Sequence, residues 1–271
     1  MGCKAVILAA GMGSRLSPLT AAFPKELLPL GGLPAIHHVV YEIAQAGITD
    51  VMIVLSQGKE SVKRYFTEPC APKGDSALEL TDRRDRLISQ MNIVYAYQRE
   101  RNGTGGAVLL AKEFAAGDHL LVAYPDDVLL LDVPHTRAPA RNASKEMMAA
   151  LSAGHSVIAT ELVSGSEAKQ YGVVYPQSEK GQKSFFSVRR IVEKPSDYIG
   201  FTAHVLIGRM LLSPECVSEI ERHPLSDSEG VIPALNEMAR LGKLLALQMV
   251  GRMDVGSHEG YRQSVELLAK G

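Results

Sequence analysis

Between Lys4 and Pro29 the chain reads KAVILAAGMGSRLSPLTAAFPKELLP: an apolar run, then Gly11, Gly13 and Arg15, and ten residues later Lys25 beside Glu26. Small residues at Ala9, Ala10, Gly11 and Gly13 let backbone N–H groups approach phosphate oxygens or a base edge. Arg15 and Lys25 add cations suited to a highly charged ligand. Together they have the layout of a cradle for a nucleoside triphosphate, although a tight turn accounts for a lone Gly-x-Gly equally well. Two familiar phosphate motifs are absent: GxGxxG requires a small residue where Leu16 stands, and no GxxxxGK[ST] string occurs.

Carboxylates supply the second kind of chemistry. Asp126 and Asp127 follow the run LLVAY through Pro125, and hard oxygen ligands at a strand end suit Mg²⁺, which takes one or two carboxylates plus phosphate oxygens and water. A solvated turn explains Pro-Asp-Asp as well. Consecutive residues in extended backbone point opposite ways, so one aspartate of the two is expected to coordinate. Asp254, in GRMDVGS, either brings a second carboxylate from a distant strand end or occupies an ordinary turn. Glu193-Lys194-Pro195 closes the run SVRRIVEKP, with Pro195 expected to keep the preceding backbone extended. An acid beside a base there could bind sugar hydroxyls and a phosphate, or form a solvated pair. Gly172 and the Gly103-Thr104-Gly105-Gly106 run are further points where backbone can lie close to a ligand. His37 and His38 are adjacent on a helical stretch, face about 100° apart and cannot form an i, i+4 metal pair. No GxSxG string or nucleophilic triad is found.

The elements that position these residues follow a βαβα rhythm. Ala5 to Leu8 is a strand buried on both faces of a sheet. Pro34 to Gln45 has helical spacing with proline at its start and Gly47 beyond its end. Val51 to Leu55, Asn92 to Tyr97 and His119 to Tyr124 read as strands, Glu60 to Phe66 and Gly105 to Phe114 as helices. The polar insert from Thr67 to Ser89 reads as an excursion with one helix near its end. Asn142 caps a helix expected to reach Ala153. From Ser156 onward Val157 to Val163, Tyr171 to Pro176, Phe185 to Val192 and His204 to Leu211 read as closely spaced strands, followed by Leu244 to Val250 and a closing helix over His258 to Leu268. The expectation is an α/β fold: a Rossmann-like, mixed but mainly parallel sheet flanked by helices, with an added β-rich part. One domain over 1–271 follows, with a nucleotide half over about 1–135, a β-rich half over about 155–256 and a C-terminal helix over about 258–269.

Composition excludes several classes. With 271 residues, 46% hydrophobic and 22% charged, the chain is ordinary globular material, and its net charge of −1 offers no surface for nucleic acid or membrane. Cys3, Cys70 and Cys216 are odd in number and far apart, which argues against a disulfide framework or a zinc site. No apolar run approaches the roughly 20 residues of a membrane span, and Gly11, Gly13 and Arg15 interrupt the apolar N-terminus too early for a signal peptide. A cytoplasmic protein is expected.

AAGMGSRLSPLT, FPKELLP, GTGGAV, PDDV, YGVV, VEKP, IGRMLLSPE and MDVGSHEGY occur in the order of the sugar-1-phosphate nucleotidyltransferases, over nearly the whole chain. Within that family the chain is most similar to bacterial UTP–glucose-1-phosphate uridylyltransferases, and more distantly to glucose-1-phosphate thymidylyltransferases. The resemblance implies backbone contacts from Ala10 and Gly11 to the nucleotide, with Gly13 and Gly103 in the same site. It implies Arg15 and Lys25 on the triphosphate and departing pyrophosphate, Glu26 and Gln98 facing the base, and Mg²⁺ on Asp126 and Asp254. Gly172, Glu193 and Lys194 would bind the hexose phosphate, and Lys194 joins Arg15 and Lys25 as a catalytic cation. Two or four copies in a homo-oligomer are expected on the same ground.

A base-facing Glu26 carboxylate would accept the N3–H of uracil or thymine, whereas cytosine presents an acceptor there. This chain departs from the uridylyltransferase pattern at Gly106, where histidine is usual, and after VEKP, where PSDYIGFTAH lacks the usual asparagine. Ser228-Glu229-Gly230-Val231-Ile232-Pro233-Ala234 matches the family's GEIQLTDA segment only loosely. Three rivals follow: dTTP or another hexose 1-phosphate as substrate, a silent nucleotide-sugar-binding regulatory module, and a dinucleotide oxidoreductase. The last fails at Leu16 and for want of a fitting second-strand acid.

Overall fold

The structure, a computed structural model, describes residues 2–130, 141–178, 184–226 and 230–270. Its first strand, β1 (Cys3–Ala9), sends Val6 and Leu8 into one core cluster and Ala5, Ile7 and Ala9 into another. Side chains alternate across a strand, so a strand with a core on each side is apolar throughout. The remaining strands of the main sheet are β2 (Asp50–Leu55), β3 (Asn92–Tyr97), β4 (His119–Ala123), β5 (Ser156–Ser164), β6 (Gly172–Pro176), β7 (Phe185–Glu193), β8 (Thr202–Leu212) and β9 (Leu244–Gln248).

Among the described residues these nine lie in the order β3-β2-β1-β4-β8-β5-β9-β7-β6. The first four run parallel, with Ile7 between Ile53 and Ala123. β8 enters antiparallel between β4 and β5, β9 runs parallel to β5, and β7 is antiparallel to β9 and β6. Seven strands therefore share a direction and two oppose it, the mixed but mainly parallel sheet expected from the sequence. A further pairing of β8 with β6, His204 opposite Val174, closes β8, β5, β9, β7 and β6 into a ring.

The helices are α1 (Ala35–Gln45), α2 (Glu60–Thr67), α3 (Asp75–Ser89), α4 (Gly103–Leu109), α5 (Lys112–Ala115), α6 (Ala143–Met148), α7 (Gly165–Ala168), α8 (Pro214–Arg222), α9 (Ile232–Arg240) and α10 (His258–Ala269). Three depart from the sequence reading. The expected helix over Gly105 to Phe114 is two, α4 and α5. The polar insert is mostly helix, fifteen residues of α3. Asn142 caps α6 by accepting the Lys145 N–H at 2.8 Å, but that helix stops at Met148, before a short 3-10 turn at Leu151–Ala153. Neither α8 nor α9 is anticipated, although Ser213 followed by Pro214 is a start signal for α8 and caps it through the Cys216 N–H.

Two features fix the face that carries the chemistry. β1, β2, β3, β4 and β9 share a direction, so the segments after them emerge on one edge of the sheet, where open α/β sheets bind ligands. A short antiparallel ladder then pairs Asp127–Val128 with Met253–Asp254, and the Val255 N–H donates to the Asp126 carbonyl at 2.8 Å. Beneath this edge Arg209 of β8 donates to Glu42 of α1 at 2.8 Å, both fully buried, and Glu42 also accepts the Ser144 hydroxyl at 2.6 Å. No described helix is long and apolar enough to cross a membrane, and no cysteine is in a disulfide.

Candidate active site

A cavity of about 1030 Å³ opens at this edge, lined in part by Ala10, Gly11, Met12, Lys25, Gln98 and Gly103. The loop above it owes its shape to Gly13, whose φ is 68° and where a Cβ would stand 2.8 Å from the Thr20 methyl. A 3-10 turn over Ser14–Leu16 buries Leu16 and leaves Arg15 exposed. A second, over Lys25–Leu27, follows Pro24 and turns Lys25 onto Asp126 while burying Glu26 completely.

Glu26 is placed differently from the sequence expectation. Its Oε1 accepts from Lys59 Nζ at 2.7 Å, its Oε2 is buried with no partner, and it does not line the cavity. The carboxylate faces Lys59 rather than a base site. Lys59, unremarked in the sequence, also donates to the Ala9 carbonyl at 2.7 Å and the Gly11 carbonyl at 2.6 Å. In a trans peptide C=O and N–H point opposite ways, so drawing these two carbonyls toward Lys59 turns the N–H groups of Ala10 and Met12 away from it. Burial pushes Glu26 up and Lys59 down from their ordinary values, and their mutual attraction offsets part of each shift. The available signal was position: Lys59 follows Gly58 just after β2, as the glycine loop follows β1.

The expected metal pair is brought together. A Cβ on Gly256 would stand 2.5 Å from Asp126 Oδ2, 3.0 Å from Arg15 Nη2 and 3.1 Å from Asp254 Oδ1, so three side chains from distant segments converge over one glycine. Burial works against the Asp126 carboxylate, but Lys25, by charge and hydrogen bond, and Arg15 outweigh it and hold the carboxyl below its usual range. Burial also opposes the Lys25 charge, and Asp126 with Glu26 more than restores it. Asp254 is pushed up by burial and by Asp127, with Arg252 offsetting part of this. The two neighbouring aspartates diverge as expected. Asp127 accepts from Arg252 at 2.9 Å and from the Gly208 N–H at 2.7 Å, which commits it to holding the backbone.

A divalent cation fits this arrangement. Two hard oxygen donors sit side by side, and Asp254 is short of positive charge. No group of three or more potential metal-ligating His, Cys, Asp or Glu side chains occurs among the described residues, which leaves the remaining positions to phosphate oxygens and water.

On the far side of Asp127, Glu193 lies opposite Gly172 in the β6–β7 ladder, and a Cβ on Gly172 would stand 3.1 Å from Glu193 Oε2. Lys194 is exposed, with Nζ 3.3 Å from Glu193 Oε1. Its backbone is not extended as Pro195 led us to expect: φ is 41°, and its N–H donates to the Tyr171 carbonyl at 3.0 Å, which turns the chain off β7. Tyr124, unremarked in the sequence, lines the cavity, shares a 3.0 Å hydrogen bond with Thr104, and has its phenol pushed up to about 12 by burial. Arg252, also missed, binds Asp127 and Glu161 and donates to the Tyr171 hydroxyl at 3.2 Å. Gly230 to Ala234 enters α9, while Ser228 and Glu229 lie outside the described residues.

A glycine-loop cavity on a mainly parallel sheet, with converging cations and a carboxylate pair, has the form of a nucleotidyl-transfer site. The chain belongs to the nucleotidyl transferase family, whose model matches residues 4–271. The UTP–glucose-1-phosphate uridylyltransferase of Staphylococcus epidermidis is 30% identical over 276 residues, covering 98% of this chain and 92% of the relative. That of Streptococcus pyogenes is 32% identical over 272 residues, covering 96% and 86%. Among solved structures, a UDP-glucose pyrophosphorylase complexed with UDP-glucose matches with a TM-score of 0.83 at 27% identity, covering 100% of this chain and 99% of that one. A UTP-bound UGPase from Acinetobacter baumannii matches at 0.79 and 26% identity, covering 98% and 93%.

Proposed function

We propose that this chain condenses UTP with glucose 1-phosphate to give UDP-glucose and pyrophosphate, by in-line attack of the sugar phosphate oxygen on the α-phosphorus. The observation that carries the reading is the convergence of Arg15, Asp126 and Asp254 beside Lys25 and the glycine loop. Catalysis then rests on positioning and charge neutralisation, without a covalent enzyme intermediate.

The substrates bring roughly five to six negative charges together, and their repulsion must be screened. Arg15 and Lys25 take the triphosphate and the departing pyrophosphate from the loop side, and Lys194 takes the sugar phosphate from the other. Ala10, Gly11 and Met12 offer backbone N–H groups, with Lys59 fixing their orientation and Glu26 balancing Lys59. Gln98 meets the base. The space kept open by Gly172 admits a sugar hydroxyl to Glu193. Asp126 and Asp254 are the residues that would hold Mg²⁺, which when bound neutralises phosphate charge and polarises the phosphoryl oxygen.

The test is pyrophosphate release from UTP, dTTP, CTP and GTP, each crossed with several hexose 1-phosphates in Mg²⁺. UTP with glucose 1-phosphate is expected to give the highest kcat/KM; turnover of no pair refutes the reading, and a preference for dTTP replaces the nucleotide alone. A homodimer or homotetramer belongs to the same proposal and is checked by light scattering.

A further inference from the structure

Gly106 is more than a gap in a helix. It is the fourth residue after Asn102, so the two positions share a face of the turn that opens α4. A Cβ on Gly106 would stand 1.8 Å from Asn102 Oδ1 and 2.1 Å from its Cγ. The Asn102 side chain thus occupies the volume that any side chain at 106 would need.

From that seat Asn102 controls Gln98. Gln98 Nε2 donates to the Gly103 carbonyl at 2.9 Å and to Asn102 Oδ1 at 2.7 Å. A carbonyl only accepts, so the nitrogen of the Gln98 amide must face Gly103, and Asn102 must then present its oxygen. Both N–H groups of the amide are engaged. What Gln98 retains for a ligand is Oε1, an acceptor, on a residue that lines the cavity. Flipping the amide would set its oxygen against two other oxygens, each opposition costing about 1–3 kcal/mol as an unmade buried hydrogen bond.

We propose that Asn102, seated over Gly106, is a positioning residue for base selection: it locks Gln98 with its oxygen presented, so that the site takes a pyrimidine bearing N3–H, uracil or thymine, and rejects cytosine. The inference rests on the reading that this cavity takes a nucleoside triphosphate. It moves the acceptor expected of Glu26 onto Gln98. A cytosine ring offers a lone pair at N3, and the locked amide cannot turn a donor toward it.

The experiment compares kcat/KM for UTP and CTP, and the KM for glucose 1-phosphate, in the full chain and in Asn102→Ala, Asn102→Asp and Gly106→Ala. Asn102→Ala leaves one opposed oxygen in place of two, so its UTP-to-CTP ratio is expected to fall about tenfold, through the nucleotide KM. The glucose 1-phosphate KM is expected to stay within about twofold. Asn102→Asp keeps an acceptor facing Gln98 and should retain the ratio within about threefold, whereas Gly106→Ala, which evicts Asn102, should lose it. Asn102 lies at the rim of the cavity and not in the core, so the outcome does not depend on Gly106→Ala folding. An undiminished ratio in Asn102→Ala overturns this inference alone, while a parent chain that turns over neither nucleotide overturns the reading beneath it.

Discussion

Replacing Lys59 with methionine removes an ammonium that binds Glu26 and the carbonyls of Ala9 and Gly11 at 2.6–2.7 Å, and leaves a side chain of similar length. Glu26 has no exposure and an Oε2 already without a partner, so the variant strands a buried carboxyl. Breaking such a pair from one side costs about 3–5 kcal/mol. For a chain of this size each kcal/mol lowers Tm by about 2–4 °C, so a fall of roughly 6–20 °C is expected by calorimetry. The double variant Lys59→Met, Glu26→Leu removes both charges and should recover most of that loss. Nucleotide affinity should not recover with it, since the Ala9 and Gly11 carbonyls still lack the cation that orients the Ala10 and Met12 amides. By titration calorimetry both variants should bind UTP at least about tenfold more weakly than the parent. A double variant restored in both Tm and affinity would show that the pair merely fills the core, and an unchanged Tm in the single variant would refute the burial argument itself.

Further expectations concern neighbouring groups. Asp254→Asn should raise the Mg²⁺ concentration for half-maximal activity by about tenfold or more, while Asp127→Asn, which loosens Arg252 and Gly208, should lower Tm and leave that concentration unchanged; the reverse pattern would exchange their roles. Arg209→Met leaves Glu42 buried without its partner and should cost about 3–5 kcal/mol in urea unfolding, with a cost under about 1 kcal/mol counting against it. Burial holds the His204 imidazole below its ordinary value, and does so for His119 against a partial offset from Asp118. The unfolded chain therefore binds more protons as pH falls below about 6.5, and stability conferred by the neutral rings is lost on acidification through that range. Urea midpoints between about pH 5 and pH 8 should fall toward acid, less steeply in His204→Gln; a midpoint that rises toward acid contradicts the assignment.

The sequence discloses what repeats locally and conceals what depends on a partner far along the chain. Strand β1 was legible because two cores demand an unbroken apolar run, and the divergence of Asp126 and Asp127 because extended backbone alternates. Glu26 was misplaced for the converse reason: a carboxylate beside Lys25 looks like a ligand contact until a lysine 33 residues away is seen to claim it. Lys194 shows a local rule overridden, with the Tyr171 carbonyl drawing its N–H and leaving φ at 41° despite the following proline. Gly106 was noticed as a departure from the family pattern, yet its meaning lies in Asn102, which fills its place.

The acidic residues divide their work by which cation reaches them. Arg252 lies between Asp127 and Glu161, packs over the Tyr171 ring at 5.1 Å, and comes no closer than 4.0 Å to Asp254. One guanidinium thus satisfies the aspartate that holds backbone and leaves the adjacent strand end short of positive charge. Tyr171 in turn accepts the Lys194 N–H through its carbonyl. The same arginine therefore joins the carboxylate side of the site to the turn that carries Glu193 and Lys194. A charge-poor Asp254 and a positioned Lys194 are two consequences of one side chain, which is why loosening Asp127 should be felt as stability first.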